Sequence, residues 1–443
     1  MKQYEAYKDS SIQWLGEIPS HWKVGKLKHV ATCNDEVLSE NTDPELHIDY
    51  VEISDVDSID GIKCKTNYAF KEAPSRARRI TRPGDVIIST VRTYLKAITS
   101  IKESDLIVST GFAVIRPKKI DSTFLKYSLL YEGFIDQVIA RSVGVSYPAI
   151  TSTELMGIEI IVPPLAEQEV IAAYLDQKVG QIDAILSEKE AMVEQLQQYR
   201  KSLISETVTR GLNPNVPMKD SGIDWIGQIP AHWHLVKLKS IAKVNGRIGY
   251  RGYTTEDLVH DGNGAYAIGG KHISKCVLDL SQPDFISWEK YYESPEIMVK
   301  KGDLLMAQRG SLGKVALVRD NIEEATINPS LVLINNLKIG DVFLYYYLVS
   351  NSCLTYIQLL NTATAVPMIS QNQIENLFVL VPPVVEQHAI SEFLDKKTKE
   401  LDTTISELQS QIEDLKVYKS SVITEAVTGK VDLRDWKPSE DNA

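Results

Sequence analysis

The chain carries one frame twice, and this repeat constrains its architecture more than any single motif. Residues 9–31 read DSSIQWLGEIPSHWKVGKLKHVA, and residues 220–242, at an offset of 211, read DSGIDWIGQIPAHWHLVKLKSIA. A second match stands at an offset of 219. Ile161-Val162-Pro163-Pro164-Leu165-Ala166-Glu167-Gln168 lies against Leu380-Val381-Pro382-Pro383-Val384-Val385-Glu386-Gln387, and Tyr174-Leu175-Asp176 against Phe393-Leu394-Asp395. Repetition over so long a period marks a duplicated structural unit. Between the framed ends the two middles differ. Only weak echoes survive there: Gly84-Asp85-Val86-Ile87 with Gly302-Asp303-Leu304-Leu305, and Pro148-Ala149-Ile150-Thr151 with Pro367-Met368-Ile369-Ser370. The pattern predicts one scaffold holding two diverged inserts.

Each Pro-Pro-x-x-Glu-Gln opens a helical stretch. Proline is tolerated at a helix start, where its missing N–H is not needed, and a glutamate suits the positive end of the helix dipole. Apolar positions then recur at spacings of four and three. In the first stretch they are Leu175, Val179, Ile182, Leu186, Val193, Leu196 and Leu203; in the second, Leu394, Leu401, Ile405, Leu408, Ile412, Leu415 and Val422. Lys189, Arg200, Thr398 and Lys419 fall in the same register. About four heptads apiece predict two helices that pair as a coiled coil. Gly211-Leu-Asn-Pro and Thr428-Gly429 are the stop signals. At ~1.5 Å per residue each helix would run roughly 65 Å, most simply antiparallel to the other with one insert at each end.

Composition narrows the class. Hydrophobic content of 43% and charged content of 24% are those of a globular protein. No apolar run is long enough to span a membrane, and the first residues lack a secretory h-region, so a cytoplasmic location is expected. Cys33, Cys64, Cys276 and Cys353 form no CxxC pair, which argues against zinc or a disulfide framework. The net charge of −11 is unevenly placed: residues 167–210 and 386–430 carry −3 each and the tail −2, leaving −3 for the remainder. Acidity therefore does not exclude a nucleic-acid partner.

Two variable regions alternating with two long helices, each opened by P-P-x-x-E-Q-x-x-I-x-x-[YF]-L-D, resemble the specificity subunit of type I restriction–modification systems. The W-[LI]-G-x-I-P-x-H-W frame is similar to that family as well. The resemblance covers nearly the whole chain. It implies an α+β fold class: two α/β target-recognition domains joined by two long antiparallel coiled-coil helices in a pseudo-two-fold repeat. The expected divisions are 1–162 and 213–381 for the domains, 163–212 and 382–430 for the spacer helices, and 431–443 for a tail. It further implies a non-catalytic subunit that binds double-stranded DNA at a two-part, gapped target and recruits two methyltransferase subunits and restriction–translocase subunits. S-adenosylmethionine, ATP and Mg2+ would belong to those partners, with no cofactor, metal or catalytic residue in this chain.

The residues themselves offer no complete catalytic motif. Gly264-Ala265-Tyr266-Ala267-Ile268-Gly269-Gly270-Lys271-His272 fails the phosphate-loop pattern twice, with Ala265 where a glycine is needed and His272 where a hydroxyl is needed. His21 and His232 recur in the frame without a recurring cysteine or carboxylate beside them, so they are expected to brace a turn. Asp85 and Asp303 are expected to be turn residues entering a strand. Phosphate contacts need Lys and Arg, and base contacts need Arg, Gln or Asn at a groove. The candidates are Arg76, Arg78, Arg79, Arg92, Tyr94 and Lys96 in the first region. In the second they are Arg247, Tyr250, Arg251, Tyr253, Lys271, Gln308, Arg309 and Lys314. The small-residue loops Ser142–Ser146 and Thr362–Ala365 are candidates for close backbone approach. Leu175, Ile182, Leu186, Leu196, Leu203, Leu394, Leu401, Ile405, Leu408, Ile412 and Leu415 are the expected helix-pairing residues. The alternative is a pseudo-symmetric scaffold that binds only proteins, which would show no salt-sensitive DNA binding.

Overall fold

The computed structural model describes residues 2–438 except 13, 58–60, 104, 145, 248, 250, 251, 261 and 362–365. Tyr250, Arg251 and the loop 362–365, all expected near DNA, therefore lie outside the described residues. The chain divides into two compact units, 1–191 with 409–443 and 192–408. Each unit is built from the same parts.

In each, the strand that follows His-Trp pairs with the strand that precedes Pro-Pro. Lys23–Lys26 runs antiparallel to Glu159–Val162, and His234–Lys237 to Phe378–Val381. The two ends of each insert are thus hydrogen-bonded side by side, so the intervening chain can change length without moving its anchor.

Each insert folds as two four-stranded sheets. In unit one an antiparallel sheet takes the order Ile98–Ser100, Val86–Ser89, Phe112–Pro117, Ala31–Cys33. A mixed sheet takes the order Thr66–Ala69, His47–Val51, Leu106–Ser109, Ala77–Ile80, with one parallel pair. Unit two repeats this with Lys243–Gly246, Leu331–Asn335, Leu304–Ala307, Val315–Leu317 and with Leu258–Val259, Phe285–Ile286, Ala265–Ile268, Ala325–Ile327. Its parallel pair is Ala265–Ile268 with Ala325–Ile327. The sheets meet face to face. Val51, Leu106 and Val108 pack on Ile87, Phe112 and Val114, and in unit two Ile268 and Ile327 pack on Leu305 and Leu333. Central strands covered on both faces have no polar side to show, which is why VIIS, FAVI and LVLI read as continuous apolar runs.

The outer face of unit two's antiparallel sheet is covered by the helices Asp341–Val349 and Asn351–Leu359. Leu304, Met306 and Ile334 share one core with Phe343, Leu344, Tyr347 and Ile357. Ile204 and Val208 from the end of the first long helix join that core, with Ile390 and Leu394 from the start of the second.

The long helices are Leu165–Arg210 and Val384–Val427. Their pairing is antiparallel in unit one, where Lys419 Nζ lies 2.6 Å from Asp183 Oδ1 and Lys189 Nζ donates to Gln411 Oε1 at 2.6 Å. In unit two Arg200 Nε lies 2.8 Å from Asp402 Oδ1. Arg200 and Lys419 are equivalent by the 219 offset, as are Asp183 and Asp402, so the same ion pair is made once in each unit. A charge at a seam position tolerates only the register that supplies its partner. Around these pairs Leu175, Ile182, Leu186, Leu394, Ile405, Leu408 and Ile412 are buried, and Leu196, Leu203, Leu401 and Leu415 half-buried. Leu394 is buried in the core of its own domain, so burial at a heptad position reflects domain packing as well as helix contact.

Both helices stop at a left-handed glycine, Gly211 (φ +77°) and Gly429 (φ +70°). A Cβ at Gly429 would stand 2.5 Å from Pro19 Cδ and 2.9 Å from Trp22 Cζ3, whereas one at Gly211 would meet Trp233 Cζ2 at 3.2 Å. Left-handed backbone costs an L-residue about 1–2 kcal/mol, and overpacking adds about 1–3 kcal/mol. Gly429→Ala is therefore expected to lower stability by about 2–4 kcal/mol and Gly211→Ala by less. Chemical denaturation of the full chain measures both; equal losses would contradict the packing difference.

Candidate nucleic-acid interface

The site begins with the helix-opening glutamates. Glu167 Oε2 accepts the Trp22 indole N–H at 3.0 Å and the Tyr4 hydroxyl at 3.0 Å, while His21 Nε2 donates to Oε1 at 2.7 Å. Glu386 does the same in unit two, with Trp233 at 2.9 Å and His232 at 2.6 Å. Expected to brace a local turn, the histidines instead reach across to the helix. The neighbouring glutamines are equally committed. Gln168 accepts from Asp121 N–H at 2.8 Å and donates to the Pro163 carbonyl at 2.7 Å; Gln387 accepts from Gly340 N–H at 2.8 Å and donates to the Pro382 carbonyl at 2.8 Å. Tyr127 and Tyr346 then donate to Asp176 and Asp395 at 2.8 and 2.7 Å. The duplicated His, Trp, Glu and Gln of the frame, and the Asp that follows on the helix, thus make the same hydrogen bonds in both copies.

This scaffold holds two loops together at the rim of each domain. In unit one Arg92 N–H donates to the Pro148 carbonyl (2.8 Å) and Ile150 N–H to the Thr90 carbonyl (2.9 Å). In unit two Gly310 N–H donates to the Pro367 carbonyl (2.9 Å) and Ile369 N–H to the Gln308 carbonyl (3.0 Å). The weak Pro-x-Ile echo in the sequence is thus a second backbone clamp. It fuses the loop after the central strand to the loop before the exit strand.

On the unit-one rim Arg92, Tyr94 and Lys96 come together. Tyr94 is exposed, Arg92 lies over the Tyr147 ring at 4.7 Å, and Lys96 stands 3.7 Å from Glu132. The nearby turn 109–111 links this rim to Arg76, whose carbonyl accepts from Thr110 N–H, while Gly111 accepts from Thr90 N–H. Arg76 is exposed. Arg78 lies on the Phe70 ring at 4.8 Å and donates to the Ala77 carbonyl. Arg79 is half-buried, its Nε without a hydrogen-bond partner, and burial holds its guanidinium below the ordinary arginine range. Arg82, in the same basic run, is paired with Glu36.

In unit two Arg309 is exposed, with no ion pair among the described residues, and its N–H bonds the Ser330 carbonyl. Lys314 is half-buried beside it. Gln308 was expected to read a base, but its amide nitrogen is tied to the Pro329 and Leu331 carbonyls at 3.0 and 3.3 Å, so it positions the loop. Lys271 joins the same turn through Gly270 and Ser330, and pairs with Asp284 at 2.6 Å. Arg247, expected at the DNA, is instead buried. It is 8% exposed, donates to the Ile327 carbonyl and Thr326 hydroxyl, and lies over the half-buried Tyr253, so both brace the domain rather than offer a surface. The glycine-rich stretch before His272 also has a structural account. A Cβ at Gly269 would lie 2.4 Å from Asn328 Nδ2, and His272 Nδ1 accepts from Gly269 N–H.

Asp85 and Asp303 do begin their strands as turn residues, accepting from Arg82 N–H and Lys300 N–H. Asp85 in addition makes two bonds to the Arg116 guanidinium, which Glu36 shares, and these carboxylates hold Arg116 above its ordinary range. Asp303 has no such partner, and burial raises its carboxyl. The described part of the tail packs on unit one: Leu433 is buried, Trp436 meets Tyr174, and Asp432 N–H bonds the Lys2 carbonyl. Sequence reasoning missed Glu167, Glu386 and Tyr147. For the glutamates the signal was present, since His-Trp and Glu-Gln are duplicated together. For Tyr147, a lone aromatic in a loop, there was none.

Among the described residues no helix is long and apolar enough to cross a membrane, and no group of three His, Cys, Asp or Glu is placed to hold a metal ion. A model of the type I restriction modification DNA specificity domain matches twice, over residues 19–195 and 230–414. The chain belongs to this family, the non-catalytic specificity subunits of type I restriction–modification systems. It is similar to the type I restriction enzyme EcoBI specificity subunit of Escherichia coli, 22% identical over 73% of this chain and 68% of that one. The StySPI specificity subunit of Salmonella potsdam is 21% identical over 95% and 91%. Among solved structures, a chain of a type I R-M system assembly superposes with a TM-score of 0.74 at 22% identity, covering 94% of this chain and 99% of its own. The HsdS subunit from Thermoanaerobacter tengcongensis gives 0.50 at 23% identity, covering 94% and 98%. These structures share the fold.

The clamp generates an ordered expectation. Hydrogen bonds to a charged group contribute about 1.5–3 kcal/mol, and Glu167 gathers three donors against two for Glu386. Glu167→Ala should therefore cost ~1 kcal/mol or more of stability beyond Glu386→Ala, and lower the midpoint of thermal unfolding further. Scanning calorimetry of both variants checks this, and the reverse order would refute the accounting.

Proposed function

We propose that this chain is the double-stranded-DNA reader of a type I restriction–modification complex, with one half of a two-part, gapped target assigned to each sheet domain. The observation that carries the reading is the pairing of a duplicated frame with diverged rims. The same backbone clamp presents Arg92, Tyr94 and Lys96 in one domain and Arg309 with Lys314 in the other. Different side chains on a common mount suit two different half-sites. Arg76, Arg78, Arg79 and Lys271 flank the rims as phosphate contacts, which position the protein without specifying sequence.

The chain itself would transfer nothing. Two methyltransferase subunits carrying S-adenosylmethionine would modify adenines, and ATP- and Mg2+-dependent restriction–translocase subunits would join for cleavage. The gap between half-sites would follow the length of the paired long helices, since half-site spacing mirrors the spacing of the readers.

Co-expression with the methyltransferase partner followed by genome-wide mapping of methylated adenines tests the reading. A two-part motif with a fixed gap is expected; scattered methylation overturns it. Arg309→Ala should relax one half of the motif only, because a lost bidentate base contact removes about 1–3 kcal/mol of discrimination. Binding of the assembled complex to target duplex should weaken steeply with salt.

A further inference from the structure

The two rims are built on one backbone, and comparing them isolates what unit one adds. Two positions in each rim loop have positive φ. In unit two they are glycines, Gly310 (+77°) and Gly313 (+80°). In unit one the same places, fixed by the matching hydrogen bonds of the clamp and of the strand end, hold Arg92 (+53°) and Lys96 (+51°). Left-handed backbone is disfavoured for residues with a Cβ, and glycine adopts it freely. Unit one thus keeps two long cationic side chains where the repeat shows that none is needed for the fold.

Between them Tyr94 and Leu95 are exposed on the turn Thr93–Leu95. Against them stands the second loop, where Val143 and Ala149 exchange both backbone hydrogen bonds at 2.9 and 3.0 Å. Thr93 Oγ1 and Ser142 Oγ share a further bond at 3.0 Å. The backbone of this pair is tied down on both sides, yet Val143 is 77% and Tyr147 60% exposed. Arg92 covers part of the Tyr147 ring at 4.7 Å. Arg141, exposed at the end of its helix, adds a third cation. Large apolar side chains held rigidly in water and rimmed by cations fit a polyanion with apolar faces inside it, namely duplex DNA.

We infer that Tyr147, flanked by Val143, is a stacking wedge that seats against a base of the half-site read by unit one, with Arg92 holding the ring in place. This rests on the DNA-reading role proposed above. In unit two the position 219 residues on is Val366, which carries no ring, and the place of Arg92 is taken by Gly310. The two halves of the target are therefore read by different physical means.

The test uses the full chain assembled with its methyltransferase partner, and duplexes carrying the target mapped for the unaltered protein. Binding is followed by fluorescence anisotropy across a salt series. Stacking on an aromatic ring is sequence-tolerant and needs no counterion release. Tyr147→Ala should weaken binding by about tenfold or more with the salt slope unchanged, while Tyr147→Phe and Val366→Ala stay within about twofold. Arg92→Ala should reduce the slope by about 1 if the guanidinium also meets a phosphate. Tyr147→Ala within twofold of the unaltered protein overturns the wedge, as does Tyr147→Phe falling with Tyr147→Ala, which would assign the role to the hydroxyl. If the unaltered complex yields no two-part motif, the DNA-reading role fails, and the wedge with it. A two-part motif with an insensitive Tyr147 sinks the wedge alone.

Discussion

A single carboxylate at the third position of each long helix ties three parts of its unit together. Glu167 and Glu386 each collect an indole N–H and an imidazole from the His-Trp turn, so the start of the helix is bound to the strand that enters the insert. The indole rings, fully buried, also wall the glycine at which the other long helix ends. The adjoining glutamine is bonded to the first residues of the insert's own helical layer. A charge-assisted network of this kind leaves a costly orphan if any member changes, because buried donors would lose an ionised acceptor. That requirement accounts for the identity of the frame in both copies. The sheets between are held at their hydrogen-bonded ends and through the helical layer, which leaves their rims free to diverge.

The same economy decides what was legible in the sequence. The frame, the heptads and the antiparallel partnership of the helices are repeated, and repetition made them visible. The ion pairs Lys419–Asp183 and Arg200–Asp402 explain why charged residues interrupt the heptads without breaking them. The inserts offered less. Arg247 stands in a glycine-rich run that looks like a surface loop, yet its guanidinium is turned inward onto Ile327 and Thr326. Nothing local distinguishes that arginine from an exposed one; only the two sheets closing over it do. The amide nitrogen of Gln308 is likewise consumed by carbonyls that are distant in sequence. The Pro148 and Pro367 echo was visible, but its meaning, a backbone clamp onto the central strand's loop, depends on topology.

The clamp also gives physical content to the divergence of the rims. Backbone bonds from Arg92 and Gly310 to the same proline carbonyl fix the loop path independently of side chains, so the two positions of positive φ persist while their residues change. Glycine is the low-strain solution, and unit two uses it at both. Unit one carries arginine and lysine instead, accepting roughly 1–2 kcal/mol of backbone strain at each. Strain of this size survives only where the surrounding structure enforces it and the side chain has a use, and such residues cluster at functional sites. Here the enforcing structure is the duplicated clamp. The gain is a pair of cations pinned beside an exposed tyrosine on a mount rigid enough that ordering them on binding costs little further entropy.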